Sequence, residues 1–165
     1  MRNFIYRLRN NFLSHVPSVA LQSLKRLRVM DMGGNALQQV MTGDLVHTPV
    51  SEIYIDHCEE LTMIDRGAFW DLPNLRAIYA HDNGRLEYID PQAFLGVPSL
   101  TSLVLNNCSL LTVQEELSTN LAAHREGHRR LHIDIHDNPL LCDCNIRYLH
   151  QVSFGKIAFY FFEAN

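Results

Sequence analysis

One apolar pattern recurs along this chain and constrains its fold more than any other feature. The clearest copy spans residues 75–89. Within it, Ile78 and Ala80 alternate with polar neighbours, as in a short strand with one buried face. Asn83-Gly84 then marks a turn. A single copy cannot bury its apolar face alone, so the pattern requires further copies stacked above and below it.

The chain supplies these copies at a period in the twenties. In each copy one residue, here called the anchor, closes the strand segment. The anchors are Asn11, Asn35, Cys58, Asn83, Cys108 and Asn138, and successive anchors are 24, 23, 25, 25 and 30 residues apart. This spacing is typical of leucine-rich repeats and predicts an α/β solenoid of about six turns, the first of them incomplete. A curved parallel sheet should form its concave side, with loops and short helical turns on the convex side.

Two further motifs resemble those of extracellular leucine-rich repeat proteins. Gly67-Ala68-Phe69 and Gln92-Ala93-Phe94 are similar to the Ala-Phe half of that family's typical repeat. Cys142-Asp143-Cys144, which follows the last anchor, resembles the start of a cysteine-flanked C-terminal cap. The resemblance implies repeats over residues 1–138 and a truncated cap with an atypical tail over residues 139–165. It also implies that Cys142 and Cys144 lack the later cap cysteines with which they would pair.

Length and charge narrow the functional classes. A chain of 165 residues, 47% of them hydrophobic, can form one domain with a substantial core. The 14 basic and 18 acidic residues are mixed along the chain and give a net charge of −4, so nucleic acid is not the expected partner. No signal peptide or membrane-spanning run is recognisable, and we expect the chain to lack its signal and first repeats. The parent protein would reach a membrane only through a segment missing from this chain.

The anchors themselves are expected to be structural. By resemblance to the family's asparagine ladder, each Asn amide should bond to backbone groups of neighbouring loops. Cys58 and Cys108 replace Asn with a small thiol. They stand two turns apart, so at about 4.8 Å per strand they should lie roughly 10 Å from each other and remain unpaired. The long polar connection over residues 114–130 predicts a short amphipathic helix that ends at Gly127.

No catalytic or metal-binding motif stands out in the sequence. Gly-x-Ser-x-Gly, a phosphate loop and His-Glu-x-x-His are all absent, so neither an enzyme nor a cofactor is expected. His132, Asp134 and His136 alternate with two isoleucines and should share the solvent face of a strand, near His81. Nothing in the spacing defines a ligand geometry there, and no metal is predicted. Asn107-Cys108-Ser109 is a formal glycosylation triplet that we expect to stay unmodified beside a buried anchor.

The concave sheet is the predicted binding surface. Residues two, four and six places before each anchor should point to solvent, because alternate strand residues face opposite ways. Tyr54 and Tyr79 then fall side by side, and tyrosine is favoured at binding hot spots. Acidic neighbours make a basic or amphipathic protein segment the expected partner, although the two tyrosines could instead merely cover the sheet. The candidate residues are Glu52, Tyr54, Asp56, Tyr79, His81, Asn106, His132, Asp134 and His136.

Two functional classes remain open at this point. The first is a fragment of a secreted or cell-surface protein, of receptor, adhesion or matrix type, that binds a protein ligand on its concave face. The resemblance to the Cys142-Asp143-Cys144 cap favours it, since cysteine pairs persist in oxidising compartments. The second is an intracellular scaffold or regulatory subunit, which the lack of a signal peptide and the two unpaired ladder cysteines favour.

Overall fold

A computed structural model of the chain describes residues 4–123, 130–141 and 157–160. Short strands and few helices make up this part of the molecule. The strands are β1 (Phe4–Arg7), β2 (Leu27–Asp31), β3 (Gln39–Val40), β4 (Glu52–Tyr54), β5 (Met63–Ile64), β6 (Ala77–Tyr79), β7 (Tyr88–Ile89), β8 (Ser102–Val104), β9 (Leu131–Asp134) and β10 (Ile157–Tyr160). The helices are α1 (Ser18–Gln22) and α2 (Glu115–Ala123).

Seven of the strands form one parallel sheet in the order β1-β2-β4-β6-β8-β9-β10. Each strand pairs with its equivalent in the next turn, so that Ile53 lies opposite Ile78, Ile78 opposite Leu103, and Leu103 opposite Ile133. A second parallel sheet consists of β3, β5 and β7, one strand from each of three consecutive turns. The predicted solenoid, with a parallel sheet built from one strand per repeat, is therefore confirmed.

The apolar ladder forms the core between these layers. The inward-facing residues of the strand segments are at most 1% exposed, as the alternation around Ile78 predicts: Ile53, Ile55, Ile78, Leu103, Leu105, Ile133 and Ile135. Phe69 and Phe94, from the Ala-Phe motifs, stack with ring centroids 5.2 Å apart and extend the core toward the convex side. Burial of one large side chain at each equivalent position supplies most of the stabilisation, at roughly 25 cal/mol per Å² of apolar surface removed from water.

The anchors bond to the backbone as expected. Asn83, fully buried, donates to the carbonyls of Ile55 and Ala80 and accepts from the backbone amide of Cys58. The Cys58 thiol donates to the carbonyl of Met32 over 3.7 Å and so replaces one of the hydrogen bonds that an asparagine anchor would donate. Both ladder cysteines are buried and unpaired, which confirms the prediction for these two; Cys142 and Cys144 lie outside the described residues.

The residue immediately before each anchor adopts a left-handed backbone. The φ angles in this column are close to one another, and all its members except His57 are Asn, Asp or Gly, which tolerate positive φ best. This backbone conformation directs the side chain of the residue before the anchor toward the side of the sheet that the C-terminal ends of the strands form. The members are Asn10 (57°), Gly34 (65°), His57 (55°), Asp82 (55°), Asn107 (52°) and Asp137 (53°).

Two elements near the C-terminal end complete the described structure. Helix α2 buries Leu117 and Leu121, as predicted for the long connection, whereas Gly127 lies outside the described residues. Strand β10 continues the sheet beyond β9, with Phe159 opposite Ile133. The sequence did not predict this strand, because its apolar run was attributed to an atypical tail.

Candidate functional site

The side chains that face away from the core on the seven-stranded sheet form a continuous surface, here called the open face. Its three columns lie two, four and six residues before the anchors. In the outermost column Glu52, Ala77, Ser102 and His132 are in register from β4 to β9. Ala77 is only 8% exposed, because its methyl group lies between larger neighbours in the same column.

A pair of stacked tyrosines occupies the middle column of the open face. Tyr54 and Tyr79 are paired in register, and their rings lie 4.5 Å apart with an interplanar angle of 12°. The Tyr54 hydroxyl donates to the Glu52 carboxylate over 3.1 Å. Burial, and then this hydrogen bond to Glu52, raises the pKa of Tyr54 to about 12. The predicted arrangement of the two rings is confirmed, and the hydrogen bond holds Tyr54 in place.

Asp56 lies on the same face but departs from the expectation that it points freely to solvent. It is 3% exposed, because the Arg9 guanidinium covers it and donates to both carboxylate oxygens at 2.9 and 2.7 Å. Arg9 Nε also donates, over 3.0 Å, to the carboxylate of Asp31 in the turn between Arg9 and Asp56. It crosses the intervening turn above Gly33, where an added Cβ would lie 2.5 Å from the guanidinium. Asp56 therefore presents an ion pair, not a bare carboxylate.

This ion pair keeps Asp56 ionised. Burial raises the pKa of Asp56, but hydrogen bonds from Arg9 and His57 outweigh burial and hold that pKa below its usual value. Arg9 was not among the predicted site residues, although it occupies the same column as Asp56, two residues before the first anchor. Their equal distance from an anchor could have placed Arg9 and Asp56 in one column. It could not show that the Arg9 side chain is long enough to cross the turn between them.

A histidine-carboxylate cluster lies next to Asp56, where β4 and β6 end. His57 Nδ1 is 2.9 Å from Asp56 Oδ2, and its Nε2 is 3.4 Å from Asp82 Oδ2. His81 Nδ1 lies 2.6 Å from the same Asp82 oxygen. The two imidazole rings meet edge to face with centroids 5.6 Å apart. Of these residues, the sequence singled out His81 and Asp56 but missed His57 and Asp82, which occupy the left-handed column.

The predicted histidines at the other end of the face separate into two pairs. His136 Nδ1 lies 2.5 Å from Asp134 Oδ1, whereas His132 Nδ1 lies 2.9 Å from the Tyr160 hydroxyl and its ring stacks on that tyrosine. His81 follows β6 and is separated from His136 by the whole of β8 and the half-buried Asn106. His132, Asp134, His136 and His81 therefore do not form one group.

Comparison with known proteins agrees with this geometry. The family described as leucine rich repeat matches residues 48–110, which hold the open face from Glu52 to Asn106. The described residues have the fold of a leucine-rich repeat solenoid. Among solved structures, the TLR13–ssRNA13 complex is similar over 90% of this chain, with 18% identity and a TM-score of 0.54. Human 5T4 (Wnt-activated inhibitory factor 1, trophoblast glycoprotein) is similar over 90% of this chain and 82% of its own, with 17% identity and a TM-score of 0.44.

The chain spans 24% of the length of the TLR13 chain that it matches. No helix in the described part of the chain is long and apolar enough to cross a membrane. Repeat solenoids of this kind typically act by binding through their extended concave surface. The open face offers such a surface, with aromatic area at its centre and ion pairs and histidines along one edge.

Proposed function

We propose that the chain is a non-catalytic protein-binding module that holds a protein ligand on the open face. The observation that carries this proposal is the Tyr54–Tyr79 stack, which stands half-buried in the middle column of the sheet. Stacking and the hydrogen bond to Glu52 already immobilise the rings, so little rotamer entropy remains to be lost on binding. Large, rigid aromatic surfaces with a polar tip are typical of binding hot spots.

Charge around the tyrosines favours a basic or amphipathic partner. Glu52 lies beside the stack, and Asp31 and Asp134 occupy the same column at either side of it. Arg9, whose guanidinium reaches this face, is already paired with Asp31 and Asp56. A polyanion would meet repulsion here. We therefore infer a protein ligand and not RNA, although the related fold of TLR13 was solved with single-stranded RNA.

The setting we propose is the outside of the cell, as part of a secreted or cell-surface protein of receptor, adhesion or matrix type. The support is the Cys142-Asp143-Cys144 motif, because cysteine-flanked caps require an oxidising compartment. An intracellular scaffold is the alternative. Cell fractionation decides between them: endogenous protein recovered from the medium or the cell surface supports the extracellular setting, whereas recovery from the cytosol alone would contradict it.

A peptide panel tests the face directly. We expect the full chain to bind basic amphipathic helical peptides more tightly than charge-reversed versions with the same apolar residues, and more tightly than single-stranded RNA. Replacing Tyr54 and Tyr79 together by alanine should weaken binding of the best peptide by at least about 10-fold, since hot-spot residues contribute about 2 kcal/mol or more.

Tyr88 provides the matched control for this double variant. It is an exposed tyrosine, 40% accessible, but it lies on β7 of the second sheet and not on the open face. Tyr88→Ala should leave the affinity unchanged. Equal affinities for the double variant and the parent chain, at unchanged stability, would move the binding site away from the open face.

A further inference from the structure

The cluster where β4 and β6 end has the composition and spacing of a metal site. Among the described residues, His57, His81 and Asp82 place one ligand atom each within 4.8 Å of one another. Two ligands of a tetrahedral zinc ion, each at about 2.1 Å, are about 3.4 Å apart. His57 Nε2 and Asp82 Oδ2 are separated by 3.4 Å. These two atoms can therefore bind one ion without rearrangement.

The tautomer of His57 supplies an independent argument. Asp56 is ionised and can only accept, so His57 must donate from Nδ1 across the 2.9 Å contact. In neutral His57 the lone pair of Nε2 then faces the Asp82 carboxylate, another acceptor. Two acceptors in this position repel each other unless a proton or a cation lies between them. A divalent cation satisfies both lone pairs at once.

The surroundings also match those of metal ligands. Histidine ligands usually donate their second ring nitrogen to a carboxylate, and ligating carboxylates are themselves hydrogen-bonded. His57 makes the first of these contacts through Asp56, which Arg9 in turn holds with two hydrogen bonds. Asp82 makes the second, since its Oδ1 accepts from Asn107 at 2.6 Å. Arg9 and Asn107 thus support the cluster from turns on opposite sides of it.

The backbone of His57 places its imidazole in the cluster. His57 has a φ of 55°, in the left-handed region where Asn, Asp and His are enriched among residues other than glycine. The left-handed turn is what brings Nε2 over the next strand end and toward Asp82.

The geometry points to a zinc-class divalent cation bridging two adjacent turns through His57 Nε2, His81 Nδ1 and Asp82 Oδ2. Histidine nitrogen and carboxylate oxygen are ligands that Zn²⁺ accepts readily. On binding, His81 moves its Nδ1 proton to Nε2, and its 2.6 Å contact with Asp82 widens by about 0.8 Å to the ligand spacing. The fourth position faces solvent and is open to water or to a group from a bound partner. This site is independent of the proposed tyrosine surface.

The repeat itself supplies conservative variants for the test. Asn106 and Asn107 occupy, in the next turn, the positions of His81 and Asp82, and Asn107 also occupies that of His57. His57→Asn, His81→Asn and Asp82→Asn are thus side chains that the fold already accepts. His47→Asn is the matched control, because His47 also has a positive φ of 62° and a carboxylate partner, Asp71, at 3.2 Å.

Zn²⁺ alone is titrated calorimetrically into the full chain at neutral pH, in a Cys142→Ser/Cys144→Ser background that removes thiolate ligands. We expect one ion per chain, an increase of several degrees in Tm, and an affinity at least about 10-fold lower in each of the three variants, with the control unchanged. Far-UV circular dichroism without zinc verifies that each variant is folded. A long-range ¹H–¹⁵N spectrum should show His57 Nε2 shifting with zinc and His47 unshifted.

Any of three results would overturn the inference. The first is zinc binding by the parent chain no tighter than that of the folded His57→Asn variant. The second is binding that survives all three variants but is lost on His136→Asn, which would place the ion at the separate His136–Asp134 pair. The third is a zinc affinity lost in His57→Asn and His81→Asn with an unmoved His57 Nε2 resonance, which would contradict direct ligation.

Discussion

The asparagine ladder allows a quantitative test of how the turns are held together. Asn83 is fully buried, and its amide makes three hydrogen bonds, to the Ile55 and Ala80 carbonyls and from the Cys58 amide. In Asn83→Ala the Ala80 carbonyl keeps a donor, the Cys108 thiol at 3.3 Å. The Ile55 carbonyl and the Cys58 amide are left buried without these partners.

Each buried group without a partner costs about 1–3 kcal/mol, so the two groups together should lower the free energy of unfolding of Asn83→Ala by about 2–6 kcal/mol. Asn83→Cys should cost less, about 1–3 kcal/mol, because a thiol at this position can donate to a carbonyl, as that of Cys58 does. Only the Cys58 amide would then lose its acceptor. The two variants therefore separate the donor role of the anchor from its acceptor role.

Equilibrium urea unfolding under reducing conditions measures both values, with Trp70 fluorescence and far-UV circular dichroism as probes. The change should appear in the midpoint and leave the slope unaltered. Asn74→Ala, at an exposed asparagine in the preceding loop, is the control and should change the free energy of unfolding by less than about 0.5 kcal/mol. A loss of that size for Asn83→Ala, or an equal loss for Ala and Cys at position 83, would refute the reasoning.

Three further expectations concern the core, the thiols and the tyrosines. Leu103→Ala should lower the free energy of unfolding by about 2–5 kcal/mol in the same assay, since Leu103 is fully buried; a loss below about 0.5 kcal/mol would show that the register is wrong. Burial raises the pKa of the Cys58 thiol and raises that of the Cys108 thiol to about 11. Site-resolved alkylation should therefore label both cysteines only after unfolding. Rapid labelling of either one in the native chain would contradict their buried position at the anchors. Tyr54 should ionise near pH 12 in a spectrophotometric titration against Tyr54→Phe. Between about pH 10 and 12 Tyr54 loses its proton in the unfolded state alone, so the free energy of unfolding should fall over that range. Ionisation of Tyr54 near pH 10 would show that burial and Glu52 do not protect the hydroxyl.

The sequence alone was sufficient for the repeat register and for the residues that depend on it. Strand alternation and the distance to the anchor are local properties, so Ile78 could be placed in the core and opposite the equivalent residues of neighbouring turns, of which Leu103 is one. The same counting placed Tyr54 beside Tyr79, because residues at equal offsets from their anchors must stack in a parallel solenoid. The buried, unpaired state of Cys58 and Cys108 followed from the spacing between turns.

Only the tertiary structure decided which side chains meet across the columns. Arg9 reaches Asp56 because Gly33, in the turn between them, leaves room for a long side chain to pass. His57 and Asp82 meet because the residue before each anchor adopts a left-handed backbone, which directs its side chain along the sheet toward the neighbouring turn. Offsets within one repeat specify a column and a face, whereas these contacts depend on side-chain length and backbone dihedral angles across several turns. Those quantities arise only once the turns are stacked.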